Sequence, residues 1–224
     1  MENTFSVEFT TLFLQLYKEL EEIEDKYPAR FETYKIYHQG QIDGFRTLRN
    51  LLSHNQSNNM YPAIVSESYL NEIKDVIRRL KTKAIDICTK KEFLFAANEN
   101  DSLYKIINKM NESNYSYVPI LDSNGLIKYV VTGKSIITIL ANSKEGMIYD
   151  SSILVKDYLD YFDINKNPNE RFIYVSKDDY ASDIEAELGK MINKKITSVA
   201  FVTANGKPTE KILGMINAWN LLNF

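Results

Sequence analysis

The chain contains 224 residues, of which 44% are hydrophobic and 25% are charged, and its formal net charge is −3 with a pI near 5.6. Domains usually hold about 100–150 residues, so this length predicts two domains with enough apolar side chains to bury a core. The acidic balance excludes proteins that hold nucleic acid or an anionic membrane by overall charge, so RNA binding would need a local basic patch.

Cysteine content and hydropathy indicate an intracellular protein. Cys88 is the single cysteine, which excludes an internal disulfide and a cysteine-based zinc cage in one chain and fits a reducing compartment. The N-terminus is acidic where a secretory signal is basic, and no window approaches the roughly 18–20 apolar residues of a membrane span. We therefore expect a cytoplasmic protein with no membrane partner and no metal site.

The first 83 residues have the period of amphipathic helices. Apolar residues recur every three or four positions over 4–27 and again over 28–54, which is typical of helices with one buried face. The second helix contains Gly40 and Gly44, which favour close packing or a kink. A third helix is predicted after residues 66–68, where a serine can cap it. These three predicted helices are enough to form one small domain.

A short motif at the end of the second helix is the chemical signal of this region. Arg49, Asn50 and His54 resemble the RNxxxH motif of the HEPN superfamily, small helical domains that include metal-independent ribonucleases. The resemblance implies that His54 is the general acid/base and that Arg49 steadies the phosphate while the ribose 2′-hydroxyl attacks. It also implies a dimer in which paired motifs meet.

Helix geometry restricts this interpretation. Positions five apart on a helix differ by about 140°, so Arg49 and His54 converge only if the helix ends near Leu52 or a second chain contributes. His38 and Arg46 lie on about the same face as Arg49 and could join the cluster. The alternative is a chance string, with His54 solvated or capping the helix end.

From residue 84 the pattern changes to short β-rich runs separated by helical stretches. Residues 84–146, here called the first copy, have the order strand, helix, strand, strand, helix, and residues 147–224, the second copy, repeat it. In the first copy, strands 117–121 and 127–131 flank the turn 122–125, rich in residues that tolerate positive φ. A repeat of about 60–70 residues predicts two packed units, because one alone leaves its sheet face uncovered.

The first copy resembles a CBS domain across nearly its full length, and the second copy resembles one more loosely. The resemblance implies an α+β fold in which an N-terminal helical domain, residues 1–83, precedes two CBS domains packed as a pseudo-symmetric pair. It also implies that the pair binds a small molecule. Pro119 fits the strand-start proline of the family, whereas Ala200 stands there in the second copy, so the first site is the better candidate.

Many CBS domains that bind adenosine nucleotides end the return strand with glycine, two apolar residues, threonine or serine, and an aspartate that holds the ribose hydroxyls. The residues at the glycine, hydroxyl and ribose positions are Tyr129, Thr132 and Ser135 in the first copy and Gly214, Asn217 and Asn220 in the second. Neither ribose position keeps a carboxylate, which removes one charge-assisted contact from each site.

The preceding strand completes the candidate site. Tyr117, Val118 and Pro119 are its further ligand-binding candidates, and the Tyr129 ring stands where a glycine would let a ligand approach. Thr132 and the equivalent residue of the second copy also have an ordinary alternative role as helix N-caps.

These features predict a regulatory protein. In this hypothesis a homodimer binds a small molecule through the CBS pair, with an adenosine nucleotide as the candidate ligand and no other cofactor implied, and thereby controls the helical domain. An alternative from a different class is a HEPN-type ribonuclease that acts on RNA through Arg49, Asn50 and His54 and is gated by the pair. A third is a non-catalytic interaction scaffold.

Overall fold

The computed structural model describes residues 2–54, 61–142, 151–166, 170–192 and 196–223. Contacts divide the chain into two compact units. The first comprises Met1–Lys83 and Tyr180–Glu187, and the second comprises Ala84–Asp179 and Leu188–Phe224. Helices precede an α+β region along the chain, which confirms the predicted fold class.

Three helices form most of the first unit, as predicted from their periodicity. They are α1 (Glu2–Lys26), α2 (Pro28–His54) and α3 (Glu67–Lys81). Ser66 caps α3 by accepting a hydrogen bond from the backbone N–H of Tyr69 at 3.2 Å, which satisfies one of the open donors at a helix start.

The core of the first unit is formed by one face from each of these helices. Its largest fully buried side chains are Phe13, Phe31, Ile42, Phe45, Leu52, Leu70, Ile73 and Leu80. Each such side chain contributes about 1.5–3 kcal/mol by leaving water, so this apolar cluster is the main source of stability for the unit.

Residues 180–187 complete the first unit from far along the chain. The backbone N–H of Ala181 donates to the carbonyl oxygen of Thr82 at 2.8 Å, and Lys83 and Tyr180 form an isolated antiparallel bridge. Arg79 Nη1 lies 3.4 Å from Glu185 Oε2. The repeat pattern alone does not reveal this contribution, because residues 180–187 fall within the second copy.

Helix α2 bends, but at a residue other than its glycines. His38 has non-helical backbone angles (φ −128°, ψ 26°), whereas Gly44 serves close packing. A Cβ atom at Gly44 would lie 2.8 Å from the Tyr69 hydroxyl oxygen, and the Tyr69 ring packs edge-on against Phe45 with centroids 5.2 Å apart. A Cβ atom at Gly40 would meet no atom within 4 Å.

We expect the two glycines of α2 to respond oppositely to alanine. Gly40→Ala should raise the free energy of unfolding by about 0.5–1 kcal/mol, because alanine has the higher helix propensity and open space surrounds the site. Gly44→Ala should lower it by about 1 kcal/mol or more, because the added methyl group meets Tyr69. Urea denaturation of the full chain measures both. Equal gains would contradict the close approach of Tyr69.

Within the described residues, the first copy contains three α-helices and three strands. They are α4 (Ala84–Ile87), β1 (Thr89–Lys90), α5 (Leu103–Ser113), β2 (Tyr117–Leu121), β3 (Ile127–Thr132) and α6 (Gly133–Asn142), followed by α7 (Leu159–Phe162) in the connection. The turn between β2 and β3 is closed by Asp122, whose Oδ1 accepts hydrogen bonds from the N–H groups of Asn124 and Leu126. Gly125 supplies the positive φ of 78° that this turn requires.

The second copy repeats the topology of the first. Its elements are β4 (Glu170–Ser176), α8 (Ala181–Ile192), β5 (Thr197–Thr203), β6 (Gly214–Ile216) and α9 (Ala218–Leu222). In this copy β4 runs parallel to β5, which pairs antiparallel with β6. In the first copy Ala97 forms a parallel bridge to Ile120, and β2 pairs antiparallel with β3. The predicted internal repeat is therefore confirmed.

Each sheet is extended by a segment from outside its own hairpin. β1, the lead-in strand of the first copy, pairs antiparallel with β6, with Lys90 opposite Gly214. At the equivalent place in the first copy, Tyr129 of β3 forms an antiparallel bridge to Asp163. The lead-in strand therefore belongs to the second sheet, and the two copies are interlocked.

Aromatic side chains fill the space between the two sheets. Phe172 stacks on Phe201 with ring centroids 5.7 Å apart and planes 6° from parallel. The Tyr174 hydroxyl donates to the carbonyl oxygen of Ile127 at 2.9 Å, and burial raises the pKa of Tyr174 to about 12. Contacts from both sheets within one apolar cluster confirm that the copies pack as a pseudo-symmetric pair.

Candidate functional site

The hydroxyl and ribose positions of the first copy form a closed hydrogen-bonded pair. The N–H of Ser135 donates to Thr132 Oγ1 at 3.0 Å, and the N–H of Thr132 donates to Ser135 Oγ at 2.9 Å. Only 1% of Thr132 and 3% of Ser135 is exposed. Thr132 is therefore the N-cap of α6, the ordinary role left open by the sequence.

A carboxylate does reach this position, but it comes from the second copy. Thr132 Oγ1 donates to Glu170 Oε2 at 2.9 Å, and Glu170, the first residue of β4, is buried. A buried carboxylate is tolerated only where donors satisfy it, so the Thr132 hydroxyl is committed to Glu170. Sequence reasoning missed Glu170, whose only signal is a charge at the start of an apolar strand.

The other ligand-binding candidates of the first copy are part of its packing. Val118 and Pro119 are buried, and the Pro119 carbonyl accepts a hydrogen bond from the N–H of Ala97 at 3.0 Å. Tyr117 packs edge-on against Phe172 across the two sheets. Tyr129 packs partly buried against the core of the first copy. The structure thus brings these candidates into the sheet and its core.

Gly214 accommodates the lead-in strand. A Cβ atom at Gly214 would lie 2.4 Å from Cys88 Sγ and 2.8 Å from the carbonyl oxygen of Thr89. The contact with β1, which pairs directly alongside β6, requires a glycine at this position. A contact between Gly214 and a ligand stays a prediction.

The two asparagines of the second copy form a reciprocal cap. Asn217 Oδ1 accepts from the N–H of Trp219 at 2.9 Å, and Asn220 Oδ1 accepts from the N–H of Asn217 at 3.0 Å. The Asn220 amide nitrogen donates to the carbonyl oxygen of Ile87 at 3.0 Å and to Thr89 Oγ1 at 3.2 Å. Asn220 therefore ties the start of α9 to the lead-in segment.

An open cavity of about 350 Å³ lies beside these amides. Its lining comprises Asp86, Ile87, Thr89, Asn217, Trp219, Asn220 and Asn223. The volume falls within the range of about 300–1,000 Å³ typical of small-molecule sites. Asp86 adds a carboxylate that the ribose position lacks, and Trp219 is 73% exposed. Contrary to the sequence-based expectation, the second copy offers the more accessible polar groups.

A protein-family model matches part of the second unit. The model described as "CBS domain" matches residues 84–142. This segment is a CBS domain. The match begins at α4 and ends with α6, so it contains Thr132 and Ser135 together with the lead-in strand that borders the cavity of the second copy.

Solved structures of other CBS domains are similar to this chain at low identity. The CBS domain of a bacterial CNNM/CorC family Mg2+ transporter in complex with ATP is 17% identical, with 67% of this chain and 91% of that chain covered and a TM-score of 0.46. CBSX2 in complex with AMP is 15% identical, with coverages of 63% and 93% and a TM-score of 0.44. The CBS domain of a membrane protein from Sphaerobacter thermophilus is 14% identical, with coverages of 63% and 86% and a TM-score of 0.43. No curated protein matches the chain.

Arg49 is paired within the helical unit. Its Nη2 lies 3.4 Å from Glu21 Oε1, its guanidinium lies 5.7 Å from the Tyr17 ring centroid, and its Nη1 donates to Asn50 Oδ1 at 3.2 Å. Helix α2 continues through His54, so the early helix end that would let the motif converge within one chain does not occur. The His54 side chain lies outside the described residues. Catalysis by Arg49, Asn50 and His54 stays a prediction that needs a second chain.

The two residues expected to join Arg49 have separate partners. His38 stacks on Tyr34 with ring centroids 4.2 Å apart, and burial lowers the pKa of His38. Arg46 Nη2 donates to Glu24 Oε1 at 2.6 Å. These contacts make His38 and Arg46 members of separate structural pairs.

Among the residues that the structure describes, no group of three or more His, Cys, Asp or Glu side chains could hold a metal ion. No described helix has the length and apolar character needed to cross a membrane.

We expect Thr132→Val to lower the free energy of unfolding by about 2 kcal/mol, because it removes both a helix cap and a donor to a buried carboxylate. Thr138→Val is the matched control on the same helix. The Thr138 hydroxyl is exposed and donates to the carbonyl oxygen of Lys134, so its loss should change the stability by less than about 0.5 kcal/mol. Urea denaturation compares the two, and equal effects would show that the contact with Glu170 contributes nothing.

Proposed function

We propose that the chain is a regulatory ligand-sensing protein whose small molecule binds in the cavity of the second copy. The observation that carries this proposal is the convergence of a carboxylate, amides and an exposed indole on one cavity. Asp86, Asn217, Asn220 and Trp219 all line it. Convergent polar groups beside an aromatic surface are typical of small-molecule sites.

The chemistry of this lining favours a nucleoside. The Asp86 carboxylate can accept hydrogen bonds from two neighbouring hydroxyl groups, as a ribose presents them. The exposed face of Trp219 can stack on a purine ring. Asn217 and Asn220 supply neutral amide groups, which suit a ligand with mixed donors and acceptors. An adenosine nucleotide combines these features, so it is the proposed ligand.

The lead-in segment is the proposed route of control. Asn220 holds the backbone of Ile87 and the side chain of Thr89, and a ligand in the cavity competes for these same groups. The lead-in segment directly follows Lys83, the last residue of the first stretch of the helical unit. A ligand that favours one arrangement of this segment would shift the population of states available to the helices.

A homodimer is the proposed assembly. Ile137 and Leu140 on α6 are 66% and 39% exposed, which leaves an apolar strip on the outer side of the CBS domain. Exposed apolar strips of this kind mark interaction surfaces. A dimer would also supply the second chain that the Arg49 and His54 motif requires for any action on RNA.

Fluorescence of the single tryptophan tests the proposed ligand directly. Trp219 is the only tryptophan in the sequence, so AMP, ATP, S-adenosylmethionine and cyclic dinucleotides can be titrated against its emission and checked by calorimetry. Asp86→Asn should weaken binding by about tenfold, because a charge-assisted hydrogen bond is worth about 1.5–3 kcal/mol. Glu112→Gln, at an exposed carboxylate of α5, should leave binding unchanged. If no compound binds, or if Asp86→Asn binds as well as the wild type, the sensing proposal fails and a scaffold role is favoured.

A further inference from the structure

Arg30, in the first turn of α2, is a buried cation with unmade hydrogen bonds. Only 9% of the residue is exposed, and its Nε and Nη1 atoms have no hydrogen-bond partner among the described residues. The guanidinium carbon lies 4.1 Å from the Tyr27 ring centroid and 3.6 Å from that of Tyr180. Stacking between two rings holds the cation in place. Each unmade bond to a buried donor still costs about 1–3 kcal/mol.

A cavity of about 300 Å³ within the first unit adjoins Arg30. The charged residues of its lining are Lys26, Arg30, Lys81, Lys83, Glu19 and Glu22. These four cations and two carboxylates leave a formal charge of +2. Lys81 and Glu19 form an ion pair with each other, so these two residues cancel in the formal charge of the lining.

The backbone adds to this positive field. Helix α2 begins at Pro28, and its first turn contains no acidic residue. A helix N-terminus carries about half a positive charge. The charged side chain of Arg30 therefore lies beside both a helix N-terminus and a cavity.

We propose that this cavity binds the phosphate group of a small phosphorylated metabolite. A phosphate monoester carries a charge of about −1.5 to −2, which matches the surplus of the lining, whereas a carboxylate would leave half of it uncompensated. The guanidinium fork fits two phosphate oxygens, and the stacking of Tyr27 and Tyr180 fixes its plane. Glu19 and Glu22 can accept hydrogen bonds from hydroxyl groups of the same molecule.

Tyr180 stacks on one face of the guanidinium and also lines the cavity. The N–H groups point outward in the guanidinium plane, so the stacked ring leaves their direction free, and the buried Nε and Nη1 atoms of Arg30 are the donors proposed for the phosphate oxygens. The proximity of the Arg30 guanidinium also holds the pKa of Tyr180 below its ordinary value. The site lies in the first unit and is independent of the proposed adenosine site.

Calorimetry of the full chain at constant ionic strength tests the proposal, with inorganic phosphate and ribose 5-phosphate as probes. We expect saturable binding of both, tighter for the ester. Arg30→Met keeps an unbranched stem between the rings and should weaken binding at least about tenfold, since a hydrogen bond to a charged group is worth about 1.5–3 kcal/mol. Lys26→Met should weaken it to a smaller extent. Lys105→Met, at an exposed lysine of α5, should have no effect.

Circular dichroism establishes whether each variant is folded. If Arg30→Met does not fold, the double variant Lys26→Met with Lys83→Met takes its place, and its affinity should fall by about tenfold. Absence of saturable binding by the wild type, or equal affinity in the folded variants, would overturn the site. Binding of inorganic phosphate with no gain for the ester would overturn the assignment to a metabolite. Asp86→Asn should not affect this binding, which separates this result from the outcome for the adenosine site.

Discussion

The pairing of the lead-in strand β1 with β6 is the contact on which the second unit depends. It requires a residue without a side chain at Gly214, because Cys88 and Thr89 occupy the space that any Cβ atom would take. It also sets Thr89 within reach of Asn220 and places Asp86 in the wall of the open cavity. The same backbone contact therefore builds the sheet and brings a carboxylate to the cavity wall. The pairing of β1 with β6 therefore determines both the second sheet and the position of the candidate site.

The two copies have the same topology, but the polar side chains that follow their return strands have different hydrogen-bond partners. In the first copy Thr132 and Ser135 satisfy one another and Glu170, so their hydrogen-bonding capacity is used inside the protein. In the second copy the corresponding amides of Asn217 and Asn220 border a cavity. The equivalent position holds the short hydroxyl of Ser135 in one copy and the amide of Asn220 in the other, and this difference accounts for the two outcomes. The hydroxyl closes a cap in a buried setting, whereas the longer amide reaches a neighbouring segment and keeps an accessible edge.

Local patterns in the sequence predicted the local structure well. The three helices, the hairpin at Gly125 and the repeated order of elements follow from periodicity and turn chemistry, which act over a few residues. What the sequence did not reveal are contacts between distant positions. Glu170 and Asp86 reach their sites through strand pairing, and residues 180–187 join the helical unit from the middle of the second copy. The kink at His38 was missed because glycines, rather than a stacked histidine, are the usual signal for a break.

The first unit is discontinuous along the chain, so its last segment is synthesised long after its three helices. During synthesis the three helices emerge early, but the segment that covers Arg30 and pairs with Arg79 is completed only when Glu185 has left the ribosome. Until then the guanidinium of Arg30 lacks one of its two stacking rings. The helical region must wait for most of the CBS region before it reaches its final packing, so the two units mature together and a chain terminated after Lys83 would lack the Tyr180 cover.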